Sequence, residues 1–165
     1  MKLKSLLLTA SLFILSAFSM AQTPYSNNSF AVTFTGGAVT SSVQPNDAKT
    51  STNYDYTSSN ADVSQTVDTR IIDHDIAVSQ ASSDFYADLD TSLGTVINRS
   101  AGLWQGHPFT YTFVKFVGNN GLTYSLRTRF IIVRPREAIF IMQTSLMTFE
   151  DQAIWEQFEG TLNIK

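Results

Sequence analysis

The 165-residue chain carries 11 Lys+Arg against 14 Asp+Glu, a formal net charge of −3, and contains no cysteine. The missing thiols exclude disulfides, zinc–thiolate sites, cysteine nucleophiles and a lipid-modified cysteine anchor. An acidic balance also speaks against nucleic acid as a partner, because phosphate binding needs a net basic face.

Lys2 and Lys4 precede an uncharged apolar run from Leu6 to Phe18, and the small residues Ser19 and Ala21 stand just before Gln22. This is the order of a secretory signal peptide at residues 1–21, with cleavage expected after Ala21. The apolar run, about 13 residues, falls short of the roughly 20 that span a bilayer, so no membrane anchor is expected after cleavage. An exported chain without disulfides points to a periplasmic or secreted bacterial protein. Removing the leader leaves nine basic against fourteen acidic residues. Nine aspartates and only two basic residues, Lys49 and Arg70, fall between 22 and 90, whereas seven basic and five acidic residues follow. Such a dipolar layout either steers association or keeps the surface solvated.

Residues 22–29 are polar and read as a flexible lead-in to one domain at 30–165. Phe30, Val32 and Phe34 alternate with Ala31 and Thr33, the period of a strand with one buried face. Gly36-Gly37 signals a turn, and Val39 to Val43 is expected to return as the second strand of a hairpin. Pro45, Asn46 and Asp47 mark a loop. From Thr50 to Gln80 the Thr, Val, Ile and Tyr content predicts short strands, interrupted at Ser58-Ser59-Asn60 and at Asp73-His74-Asp75.

Ser82 and Ser83 can cap a helix, with Asp84 in its first turn and Phe85, Leu89, Leu93 and Val96 along one face. A second helix is predicted near the C-terminus. There Thr148 precedes Glu150 and Asp151, and Ile154, Trp155 and Phe158 share a face before Gly160. Between the helices, Phe109, Tyr111, Phe113, Lys115 and Val117 alternate with Thr110, Thr112, Val114 and Phe116, Gly118-Asn119-Asn120-Gly121 supplies a turn, and Leu122 to Val133 returns. Arg134-Pro135-Arg136 makes the next turn before Ala138 to Ser145, which is apolar on both faces and therefore central. Three long adjacent strands of this kind form an antiparallel meander.

The segments FAVTFTGG at 30–37, WQGHPFTYTF at 104–113, the run from Gly121 to Gln143 and WEQFEGTLNI at 155–164 resemble the PsbP-like family (the Mog/PsbP fold). That family's first strand usually ends in a Phe-Pro-Gly turn, whereas Phe34-Thr35-Gly36 has threonine in the middle. The resemblance implies an α+β fold, an antiparallel sheet covered by two helices, and a binding or assembly role in place of catalysis. None of its segments is a catalytic signature.

Three constellations carry chemistry. Asp73 and Asp75 flank His74 with metal-ligand groups, although neighbouring strand residues face opposite sides and a polar turn accounts for the same letters. His107 lies in Gly106-His107-Pro108, where a turn accounts for it as well as a general base would. Arg127 and Arg129 share one strand face, where two guanidinium forks could hold a carboxylate or phosphate ligand, or could pair with aspartates of the N-terminal half. Aromatic residues crowd from Trp104 to Phe116 and serve either a core or a ligand platform. No Gly-x-Ser-x-Gly elbow, His-Glu-x-x-His helix, phosphate loop or dinucleotide fingerprint occurs, so no cofactor is expected. The resulting expectation is a non-catalytic exported module for an unidentified protein or small ligand, with Arg127, Arg129 and His107 as its binding residues. The alternative is a small metal-dependent or hydrolytic enzyme using Asp73, Asp75 and His107.

Overall fold

The computed structural model describes residues 22–35, 37–45, 51–59, 63–72 and 94–165. In chain order these form β1 (Thr23–Ser26), β2 (Phe30–Phe34), β3 (Val39–Pro45), β4 (Ser51–Ser59), β5 (Val63–Ile72), β6 (Thr95–Trp104), β7 (His107–Val117), β8 (Thr123–Arg134), β9 (Glu137–Leu146), α1 (Asp151–Gly160) and β10 (Asn163–Ile164). The expected signal segment at 1–21, Asp73, Asp75 and the predicted helical residues Ser82–Leu93 lie outside the described residues.

Seven strands build one sheet in the order β3-β4-β5-β9-β8-β7-β6, every neighbour antiparallel. The predicted meander is β7-β8-β9. β9 sits between β5 and β8, as a strand apolar on both faces requires. Along β8 every residue from Ser125 to Ile131 is buried, so both faces of the sheet are covered at its centre. A smaller sheet, β1-β2-β10, packs with α1 on what we term the inner face. Phe30, Val32 and Phe34 meet Val67, Ile131, Ile139 and Ile141 there, with Trp155, Phe158 and Leu162 completing the core. Each large side chain so buried contributes about 1.5–3 kcal/mol.

Three expectations are corrected. β2 does not pair with β3. It is flanked instead by β1 and β10, while β3 joins β4 in the large sheet, because the Phe30/Val32/Phe34 face is buried between the layers. Residues 23–26, expected as a flexible lead-in, form β1 in register with β2 from Thr23↔Phe34 to Ser26↔Ala31, where Tyr25 packs on Phe30 and Tyr56. Among the described residues there is one helix, not two. Val96, placed at the end of the first helix by its spacing, lies instead in edge strand β6, paired with Val114.

α1 begins without a side-chain cap at Glu150, and Thr148 Oγ1 accepts the Glu150 N–H at 3.3 Å just before it. Its buried residues are Asp151, Trp155 and Phe158. The β6–β7 hairpin turns through Gln105 (φ 49°) and Gly106 (φ 84°), the paired positive angles of a two-residue hairpin turn. Gln105 accepts this left-handed conformation in a position that docks β10: its Nε2 donates to Leu162 O at 2.7 Å and its Oε1 accepts Ile164 N–H at 3.2 Å.

Candidate functional site

Arg127 and Arg129 do share a face, as their spacing in β8 requires, and it is the inner one. Cross-strand partners put Phe113 beside Arg127 and Tyr111 beside Arg129. Both arginines are buried, at 5% and 8% exposure. Arg127 Nη2 donates to Asp151 Oδ2 at 2.9 Å, and its Nη1 donates to the Tyr111 hydroxyl at 3.1 Å. Its guanidinium carbon lies 3.9 Å from the Phe113 ring centroid. Arg129 Nη2 donates to Glu159 Oε2 at 2.7 Å while its guanidinium lies 4.2 Å from the Trp104 ring and 4.4 Å from the Phe109 ring. The dense aromatic interval on β6 and β7 thus forms the walls that house the two cations.

These contacts engage both Nη atoms of Arg127 and Nη2 of Arg129, while the Nε of each is buried without a hydrogen-bond partner. The two guanidiniums grip the first turn and the last turn of α1 and so act as a clamp on the helix. Among the described residues, the acids they take come from α1. Burial pulls the Arg129 guanidinium below its ordinary value against the opposing pull of Glu159. Burial likewise raises the Glu159 carboxyl above the usual carboxylate range, outweighing the nearby Arg129.

A polar row continues across the same face through Gln143 and Gln65, the successive cross-strand neighbours of Arg127. Gln65 Oε1 accepts Thr35 N–H at 2.8 Å, Gln65 Nε2 donates to Gln143 Oε1 at 2.8 Å, and Gln143 Nε2 donates to Asp151 O at 3.2 Å. The row therefore fastens the end of β2 and the start of α1 to the sheet. Gln143 was readable as a polar residue inside an apolar strand, which is the signal of a buried hydrogen bond. Asp151 reads from sequence only as a first-turn acid of the helix, and nothing local marks Glu159.

His107 opens β7 opposite Trp104. It stands on the arginine face, four residues before Tyr111, and takes no part in the described ion pairs of Arg127 and Arg129. Asp73 and Asp75 lie outside the described residues. Among the described residues no group of three His, Cys, Asp or Glu side chains is placed to share a metal ion.

What does stand open is one end of the meander. Val117, Leu122, Met147 and Phe149 are all exposed, Val117 at 67% and Phe149 at 93%. The chain brings them together because Gly118 N–H bonds Leu122 O across the β7–β8 turn and Met147 N–H bonds Thr123 O. Beside them a groove of about 430 Å³ is lined by Phe116, Gly118, Asn119, Asn120, Tyr124 and Thr144. Phe116 and Tyr124 stack there at 5.5 Å, and a Cβ on Gly118 would meet the Tyr124 ring at 2.7 Å, so glycine is what lets the ring lie against the turn. Sequence alternation did not reveal this end, since it lies at the turns.

Solved structures resemble this arrangement. PA94 of Pseudomonas aeruginosa, a protein of unknown function, superposes with a TM-score of 0.51 at 14% identity, over 82% of this chain and 92% of that one. LpqN of Mycobacterium tuberculosis, involved in cell envelope biogenesis, gives 0.51 at 10% identity, over 87% and 90%. The likeness is one of fold. The Ran-binding protein Mog1p of Saccharomyces cerevisiae gives 0.47 at 12% identity, over 88% and 96%. No family model and no curated protein matches the sequence.

Proposed function

We propose that this chain is an exported, non-catalytic binding or assembly module of the PsbP-like type, and that it engages a protein partner through the apolar end of its meander. The observation that carries this reading is the cluster of Val117, Leu122, Met147 and Phe149, four exposed apolar side chains gathered at adjoining turns. A group of that kind on a water-facing surface is the usual mark of an interaction site. The leader-like residues 1–21 place the module outside the cytoplasm in this reading, and the shared fold with an envelope-biogenesis protein supports a setting in the bacterial envelope.

The test is capture of an envelope-extract partner by the wild-type protein and by Leu122→Asp/Phe149→Asp. Both positions are exposed, so the variant is expected to fold as the wild type does, with an unchanged urea midpoint. The reading expects a partner held by the wild type and lost from the variant. Equal retention by both removes the meander end as the binding surface.

A further inference from the structure

The meander end carries a projecting ring and a recess side by side. Phe149 stands on the short connection between β9 and α1 and is 93% exposed. Its backbone is held on both sides: Met147 N–H bonds Thr123 O at 2.9 Å, and Asp151 N–H bonds Thr148 O at 3.4 Å. A ring fixed in water this way gives little to its own core. It has the form of an interface anchor, which loses little freedom on contact.

The groove of about 430 Å³ at the same end is the matching recess. Phe116 and Tyr124 stack as its aromatic wall, and Asn120 Nδ2 donates to the Tyr124 hydroxyl at 2.8 Å, which fixes that wall. At its present exposure Phe149 does not fill the groove of its own chain. An isologous contact needs both parts on one patch, because each copy then gives its ring to the other's groove and receives the other's ring in its own.

Charge agrees with this pairing. Residues 116–126 and 143–149 contain no charged side chain, so these segments of two copies oppose no like charges, although the whole chain is net negative. Lys115 and Glu150, which border the segments, are of opposite sign, and a two-fold axis that sets one toward the other's copy adds attraction. Even with about 200 Å² from Phe149, four apolar side chains fall short of the roughly 800 Å² that each partner gives a standard stable interface, so the association is weak.

We propose that the partner of the meander end is a second copy of this chain, the two pairing about a two-fold axis with Phe149 of each seated in the Phe116/Tyr124 groove of the other. This rests on the reading of that end as a binding surface and names its occupant.

The test is sedimentation of the purified protein over a concentration series. The wild type is expected to show a monomer–dimer equilibrium with a Kd on the order of 10–100 μM. Phe149→Ala removes the ring and Thr144→Trp fills the groove; each is expected to weaken the dimer by about tenfold or more while leaving the melting temperature near the wild-type value. An equimolar mixture of the two variants is expected to associate better than either alone, because one of the two contacts is intact in the mixed pair. A wild type that stays monomeric to about 1 mM overturns the proposal, as does a dimer that both variants leave unchanged. A mixture no better than its components overturns it too, since general apolar adhesion would then account for the pairing. If the wild type is monomeric, loss of an extract partner from Leu122→Asp/Phe149→Asp still upholds the meander end as a binding surface, whereas equal retention removes both readings.

Discussion

Arg127 reaches from β8 to Asp151 in the first turn of α1, Nη2 to Oδ2 at 2.9 Å, with both side chains almost entirely shielded from water. The guanidinium meets three demands at once: a carboxylate, the Tyr111 hydroxyl and the face of Phe113. A lysine ammonium keeps the charge but cannot fork to two acceptors while lying flat on a ring. Arg127→Lys is therefore expected to lower stability by about 1–3 kcal/mol in urea unfolding, with the secondary structure retained. A loss within experimental error would mean that charge alone suffices.

Glu159 gives a pH signature opposite to that of an ordinary surface ion pair. Burial holds its folded-state carboxyl above the ordinary value of 4.5 despite Arg129. Between the ordinary and the raised value the folded protein binds more protons than the unfolded chain, so this group's contribution to stability falls as pH rises through that window. Glu159→Gln removes the titration. The stability of the wild type minus that of Glu159→Gln is thus expected to shrink as pH is raised from about 4 upward, measured by urea midpoints at successive pH values. A difference that grows with pH would show that Arg129 outweighs burial.

Gly94 leads into β6 at φ +143°, and a Cβ there would meet Lys115 O at 2.4 Å and Phe116 Cβ at 2.8 Å. Both the backbone angle and the contact require glycine. Gly94→Ala is expected to destabilise by about 2–4 kcal/mol and to loosen the β6 edge first, read as faster amide exchange from Thr95 to Arg99 than from β8. Protection along β6 equal to the wild type would contradict that reading.

Legibility followed period and composition. The alternation of Phe109 to Val117 and the doubly apolar Ala138 to Ser145 located the meander and the central strand, since turn residues between them left one pairing available. The face of Ile154, Trp155 and Phe158 located α1, of which Trp155 and Phe158 are buried. Strand partners remote in sequence were not legible: β2 and β3 each alternate, but nothing local says that they belong to different sheets. β6 was missed because Asn98, Arg99, Ser100 and Gly102 lie along an exposed edge and show no apolar period. The spacing of Arg127 and Arg129 correctly gave one shared face. What filled that face was hidden, because Asp151 and Glu159 reach it only when α1 folds back on the sheet, 24 and 30 residues further along the chain.

The arginine face is a clamp that holds α1 on the sheet. Its most direct test is a double-mutant cycle in urea unfolding of Arg127→Met, Asp151→Leu and the two together. Each single change strands a buried charge and is predicted to cost about 3–5 kcal/mol, whereas the double variant should recover to within about 2 kcal/mol of the wild type. Two nearly neutral single variants with no coupling would contradict the clamp and return Arg127 to the list of ligand-binding candidates.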